Sequence, residues 1–134
     1  MTNLEHQIQP HERTKIYQLA RSILKDTHIL VSRMPKQFKF TLGTKLIDQA
    51  TSLTLSIFLA YEEVNDRNRK LQLVKEINHH IQTLLLSYRI AFDVRAVSTG
   101  ERGQIGFGKQ VQRLVACSVQ QKQWVGAIVT DARV

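Results

Sequence analysis

The chain lacks the features that stabilise secreted and membrane-spanning proteins. Its single cysteine, Cys117, cannot form an internal disulfide, and only two prolines and six glycines interrupt it. The longest weakly charged segment, residues 46–61, contains Asp48 and several Thr and Ser side chains, so it falls short of the roughly 20 apolar residues of a membrane span. The first residues have neither the basic start nor the apolar run of a signal peptide. We therefore expect a cytoplasmic protein that does not insert into a membrane.

Acidic residues are also scarce. The chain has 19 Lys and Arg residues against 11 Asp and Glu residues, which gives a formal net charge of +8. Such a field attracts phosphate backbones or acidic proteins. With 134 residues, of which 43% are hydrophobic, the chain suits a single domain. We expect one basic domain that contacts nucleic acid, and a basic protein without such a partner is the alternative.

Apolar residues recur at three- and four-residue steps in four segments, which is typical of amphipathic helices. Pro35 should end the first helix, because proline restricts the residue before it. Asp66 is a suitable N-cap for the third. The pattern predicts helices at about 11–33, 42–65, 67–97 and 107–129.

The connections between these helices set the topology. Two of them are short, and short connections favour antiparallel neighbours. The longest connection is residues 98–106. The sequence predicts an all-α, antiparallel up-down-up-down four-helix bundle over residues 11–130, with residues 1–10 as an N-terminal extension whose order the sequence leaves open.

The second predicted helix has more apolar surface than an isolated bundle needs. Its only charged residue between Leu46 and Tyr61 is Asp48. A helix on the surface of a bundle should show a polar face at least as wide as its apolar one. We expect the extra apolar residues to form an oligomer interface, although a neutral surface of Thr and Ser side chains is the alternative. The interface residues are Ile47, Leu55, Phe58 and Leu59.

Positive charge is concentrated in residues 13–45, where eight basic residues face the single acid Asp26, a difference of +7. Phe38 and Phe40 are interleaved with this charge, and such a pattern can hold a phosphate backbone while stacking bases. The favoured alternative for Phe40 is a buried hydrophobic staple before a helix that begins at Leu42 and is capped by Thr41. The predicted nucleic-acid-binding residues of this region are Arg21, Lys25, Arg33, Lys36, Lys39 and Lys45.

A second basic group, Arg67, Arg69 and Lys70, opens the third predicted helix. Positive charge at a helix N-terminus opposes the helix dipole, which indicates a use for it, and we add these three residues to the predicted nucleic-acid-binding set. Acidic residues lie close by, at Glu63 and Asp66 among others, so a local salt-bridge cluster is an equal alternative.

Motifs for catalysis or cofactor binding are incomplete. Residues 103–109 match most of a phosphate-binding loop, but Gln110 stands where Ser or Thr would hold magnesium, and no strand is predicted upstream. Glu76 and His79 form one Glu-x-x-His motif without the second one that a di-iron bundle needs. Cys117 lies among apolar residues, as inert buried thiols do. We expect no enzyme activity, no metal and no cofactor.

The stretch around the first connection resembles a known family. Met34-Pro35-Lys36, followed by Phe40-Thr41-Leu42-Gly43-Thr44-Lys45, is similar to the accessory variability determinants of diversity-generating retroelements. These are four-helix proteins related to those encoded in ribosomal RNA intervening sequences. The resemblance implies a homopentameric ring that binds the reverse transcriptase of the retroelement and its template RNA or cDNA during mutagenic retrohoming. The alternative is a structural or protein-interaction bundle of the intervening-sequence type without a reverse transcriptase partner.

Overall fold

The computed structural model describes residues 15–96, 111–116, 125–126 and 128–129, which contain helices and no strand. Residues 111–116 are also helical. The predicted all-α class is confirmed, and the helices are compatible with a bundle. The elements are α1 (Lys15–Ser32), a single turn α2 (Lys36–Phe38), a π-helical segment (Lys39–Gly43), α3 (Thr44–Glu62) and α4 (Arg67–Asp93).

The first helix ends where Pro35 requires. The last helical residue of α1 is Ser32, and Met34 N–H donates to the carbonyl of Val31 at 3.0 Å in a closing turn. Pro35 is extended, with φ −54° and ψ 145°. Its carbonyl then accepts from Phe38 N–H at 2.9 Å, so helical structure resumes at Lys36.

The prediction that Thr41 caps a helix beginning at Leu42 is wrong. The hydroxyl of Thr41 donates backwards, with its Oγ1 at 3.3 Å from the carbonyl oxygens of Gln37 and Phe38. Because the helix has already begun at Lys36, no free amide group remains for Thr41 to cap. Phe40 consequently lies inside helical structure with 71% of its surface exposed, and the prediction of a buried staple is also wrong.

Gly43 marks the close approach of α1 to the π-helical segment. A Cβ atom added at Gly43 would lie 2.6 Å from Cγ1 of Val31, and Val31 is itself buried. Any larger residue therefore requires the Val31 side chain or one of the two helical elements to shift. The glycine of the Leu-Gly-Thr-Lys stretch is explained by packing, since its φ of −60° is ordinary.

The hydrophobic core lies where α1, α3 and α4 meet. Residues at three- and four-residue steps supply most of it, as the apolar periodicity predicts. Val64 is 53% exposed, because α3 ends at Glu62 and Val64 falls in the following turn. The largest fully buried side chains are Tyr88, Ile23, Leu30, Leu46, Leu53, Ile57, Ile77, Ile81, Leu84, Leu114 and Ile128.

A buried hydrogen-bond chain joins α1 to α4. The hydroxyl of Thr27 donates to the carbonyl of Ile23 at 2.6 Å and lies 2.5 Å from the hydroxyl of Tyr88. Because a threonine hydroxyl has only one proton, Tyr88 is the donor in the second bond. Burial raises the pKa of Tyr88 well above its usual range, so the phenol keeps its proton at all physiological pH values.

Arg113 fixes the helical residues 111–116 to α1, since its Nη1 lies 2.6 Å from Oδ2 of Asp26.

The third predicted helix, α4, ends at Asp93 rather than at Val97. Ala96 N–H donates to the carbonyl of Ala91 at 2.8 Å, and Arg95 has a left-handed φ of 62°, which closes the helix. The N-terminal extension, most of the fourth predicted helix, the glycine-rich residues 103–109, and Cys117 lie outside the described residues.

Candidate nucleic-acid interface

Four predicted cations surround the turn between α1 and α3, and we call Arg33, Lys36, Lys39 and Lys45 the basic corner. No acidic residue occurs between Arg33 and Ile47. Lys39 is half-exposed, and the other three are exposed. Within the described part of the chain, the three lysines form no ion pair. Since no described salt bridge holds their ammonium groups, these lysines can contact an anion.

The helical course of the corner sets the spacing of its charges. Lys36 and Lys45 are nine residues apart, which is about 14 Å along a helix axis. Phosphates of one nucleic-acid strand follow each other at about 3.4 Å along a duplex axis, so this span covers several of them. The arrangement can contact a sugar-phosphate backbone but contains no helix that would read a groove.

A groove of about 530 Å³ lies between α3 and α4 and begins at the basic corner. Phe40 and Lys45 line one end of it, and Asp48, Gln49 and His80 line it further along. Oε1 of Gln49 is buried and has no hydrogen-bond partner among the described residues. The groove thus combines an exposed aromatic ring with an unsatisfied polar atom.

His80 occupies the α4 side of the groove. Burial lowers the pKa of His80, the neighbouring His79 lowers it further, and Glu76 opposes both in part. The imidazole is therefore neutral at pH 7, with one nitrogen that donates and one that accepts. Thr83, on the same wall, donates from its hydroxyl to the backbone carbonyl of His80 at 3.1 Å.

Two predicted binding residues, Arg21 and Lys25, lie on the exposed surface of α1, away from the basic corner. They are one helical turn apart, so they lie on one side of α1. Lys25 precedes Arg33 by eight residues, about 12 Å along a helix axis. The structure therefore places these two cations outside the basic corner, further toward the N-terminus of α1.

The second basic group lies at the other end of α3. Lys45 and Glu62, near the two ends of this helix, are separated by about 26 Å along its axis. Arg67 and Arg69 are exposed just beyond Glu62, at the start of α4. The structure does not bring these two arginines together with the basic corner.

Lys70 differs from the surface position expected of it. Its side chain is only 7% exposed, because it continues the core stripe of Val74 and Ile77. Nζ donates to the backbone carbonyl of Glu63 at 3.3 Å and lies 5.9 Å from the centroid of the Tyr61 ring. These contacts use the ammonium group to stabilise the turn, so it cannot reach a nucleic-acid backbone.

The carboxylates of Asp66 and Glu63 accept hydrogen bonds from backbone N–H groups of this turn. Oδ1 of Asp66 accepts from Arg69 N–H at 3.1 Å, which confirms the predicted N-cap of α4. Oε2 of Glu63 accepts from Asp66 N–H at 3.0 Å. The turn at residues 63–66 is thus a local hydrogen-bonded structure.

The predicted oligomer-interface residues divide into two pairs. Leu55 and Leu59 are exposed, at 54% and 39%, whereas Phe58 and Ile47 are half-buried, and Ile47 packs against the core. Exposed apolar residues on α4 were not predicted. Leu86 and Ile90 follow His79 and Thr83 at helical spacing, opposite the core stripe, and that spacing is the signal that could have revealed them.

The described residues contain no group of three or more His, Cys, Asp or Glu side chains that could hold a metal ion. Among the described helices, none is long and apolar enough to cross a membrane. Comparison of the chain with protein-family models, curated proteins and solved structures finds no match.

Proposed function

We propose that this chain is a basic, non-enzymatic accessory protein of a diversity-generating retroelement, which binds the reverse transcriptase and nucleic acid to support mutagenic retrohoming. The observation that carries the nucleic-acid part is the basic corner, whose three lysines have no ion-pair partner among the described residues. The resemblance of Pro35-Lys36 and of Phe40 to Lys45 supports the retroelement part.

The binding mechanism is electrostatic. Cations that contact phosphates release condensed counterions, so affinity falls steeply as salt rises. Because such contacts position a strand without reading its bases, we expect weak sequence selectivity for template RNA or cDNA. A protein of this kind can hold the template beside a polymerase.

Assembly into an oligomer would bring the basic corners of several subunits together. We infer an up-down-up-down bundle that forms a homopentameric ring, with the exposed Leu55 and Leu59 in the contact between subunits. A ring presents several basic corners to one strand, and linked contacts raise the affinity beyond that of a single site.

The experiment is a salt titration of single-stranded RNA binding, measured by fluorescence anisotropy. Replacing all four residues of the basic corner with Ala should reduce the slope of log K against log salt by about 3, because each lost phosphate contact contributes about 0.7. The matched control is the pair Arg67→Ala and Arg69→Ala at the other end of α3. An unchanged slope in the fourfold variant would remove the basic corner as the binding site.

A second candidate is a structural or protein-interaction bundle of the ribosomal RNA intervening-sequence type. It is favoured by the exposed apolar residues Leu86 and Ile90, which no described residue covers. Light scattering at high salt, with and without the cognate reverse transcriptase, separates the candidates. A pentamer that takes up the polymerase supports the accessory role, and a protein that ignores it supports the second candidate.

A further inference from the structure

We propose that the groove between α3 and α4 is a subsite for one unpaired nucleobase, which stacks on the ring of Phe40. This inference rests on the proposed nucleic-acid binding and specifies the ligand: a single strand, whose bases are free to leave the stack. The phosphates of that strand would lie on the basic corner, while one base enters the adjoining groove.

Phe40 is the first observation. It is the most exposed of the large apolar side chains that the structure describes, at 71%, and it forms one end of the groove. Exposing an aromatic ring forgoes the free energy of its burial, about 25 cal/mol for each Å² of apolar surface. A base that stacks on the ring removes that surface from water and needs no specific sequence.

The charge of the groove is the second observation. Lys45 and Asp48 both line it, so their charges oppose each other, and His80 is neutral at pH 7. A phosphate would therefore be attracted less inside the groove than beside Lys36 and Lys39. A base is uncharged and fits such an environment, whereas its own phosphate fits the corner where Lys36 and Lys39 have no described acidic partner.

The polar lining is the third observation. Oε1 of Gln49 is buried without a partner among the described residues, and a buried acceptor left in this way costs about 1–3 kcal/mol. If the Gln49 side chain turned toward the groove, this oxygen could accept from an N–H group on the edge of a nucleobase. The hydroxyl groups of Thr44 and Ser52 also line the groove and can exchange hydrogen bonds with a base edge.

The size of the groove is compatible with this ligand. Its volume of about 530 Å³ lies within the range of small-molecule sites, about 300–1,000 Å³. The bases of a duplex are paired in its interior and cannot reach the ring without being flipped out. Single strands should therefore be preferred over duplexes of the same length.

The test uses the full chain and anisotropy with three probes: a single-stranded oligonucleotide, the same strand with abasic nucleotides, and its duplex. Phe40→Leu keeps an apolar side chain but removes the aromatic face, and Phe40→Trp keeps an aromatic face. Phe40→Leu should weaken binding of the intact single strand by about 5- to 140-fold, as expected for the loss of one base-aromatic stack. Phe40→Trp should restore the affinity.

Several controls identify the interaction. The salt slope of Phe40→Leu should equal that of the unchanged protein, since no phosphate contact is lost. Its affinity for the abasic strand and for the duplex should not change. Val64→Ala, at an exposed apolar residue in the turn between α3 and α4, should bind all three probes normally.

The outcomes separate this inference from the proposed function. If Phe40→Leu binds the intact strand as tightly as the unchanged protein does, with the same salt slope, the base subsite is wrong and the basic corner stands. If Phe40→Leu weakens the abasic and intact strands equally, the ring does not contact a base and the inference is also wrong. If the unchanged protein binds none of the probes, the proposed nucleic-acid binding is wrong, and the base subsite that rests on it is wrong as well.

Discussion

The chain turns at residues 33–35, between α1 and α2, and again at residues 63–66, between α3 and α4, and cations gather at both turns. At the second turn Asp66 caps α4, and Lys70 is buried against Tyr61 and donates to a backbone carbonyl, whereas Arg67 and Arg69 remain exposed. At the first turn the three lysines have no described ion-pair partner. Clustered charge in a sequence is therefore free for binding only where the local fold does not use it.

Charge reversal at the two turns tests this contrast most strongly. Lys36→Glu with Lys39→Glu should weaken single-stranded RNA binding at about 0.1 M salt by about 25-fold or more, because two phosphate contacts are lost and repulsion is added. Arg67→Glu with Arg69→Glu should change the affinity by less than about threefold, since these residues lie at the far end of α3. Equal losses in the two variants would end the distinction between the turns.

Loss of the α4 N-cap should lower the stability of the protein without changing its affinity for nucleic acid. Asp66→Ala removes the acceptor of Arg69 N–H and should lower the free energy of unfolding by about 1 kcal/mol. Asp66→Asn is the matched control, because asparagine caps equally well without the charge, and it should have almost no effect. Urea denaturation measures both, and a large loss in the asparagine variant would indicate that charge rather than capping matters.

Gly43 lies between Lys39 and Lys45 of the basic corner and packs closely against Val31 of α1. Gly43→Ala should destabilise the protein by about 1 kcal/mol, because the overpacking penalty of about 1–3 kcal/mol against Val31 exceeds the gain of about 1 kcal/mol in helix propensity. Val31→Ala removes the close Cγ1 atom, so Gly43→Ala should cost less in that background. A double-mutant cycle with strictly additive effects would contradict the clash.

The smallest effect is expected in the groove, between the two turns. Burial lowers the folded-state pKa of His80, so the unfolded chain binds its proton more readily. Stability should therefore fall as the pH drops below about 6.5, the ordinary histidine pKa, until the folded pKa is also passed. His80→Gln should flatten this part of the curve of unfolding free energy against pH.

Sequence reasoning was most successful where the cause is local. Pro35 ends α1 and Asp66 caps α4 as predicted, because both effects involve a few neighbouring residues. Apolar periodicity also located most of the core. The predicted start of the second helix was wrong. In the sequence, a helix start capped by Thr41 and a helix start just after Pro35 are equally plausible, and only the observed hydrogen bonds distinguish them.

The candidate site was only partly predictable. Its cations could be predicted from the charge pattern. The sequence also places Phe40 beside them, but it favours a buried ring, whereas the ring is exposed. The groove itself was not predicted. It requires residues 40–52 to lie beside residues 79–83, and no local pattern states which faces of α3 and α4 meet.

Composition and periodicity by themselves determined an all-helical, basic chain with charge concentrated in its first third and helix boundaries at Pro35 and Asp66. Those properties follow from backbone hydrogen bonding, capping and charge counting between near neighbours. Only the tertiary structure decided that Lys70 is buried while Lys36 and Lys45 remain exposed, and that Phe40 lies in a groove with Gln49. The reason is physical: exposure depends on which elements pack together, and packing is set by contacts between residues far apart in the chain.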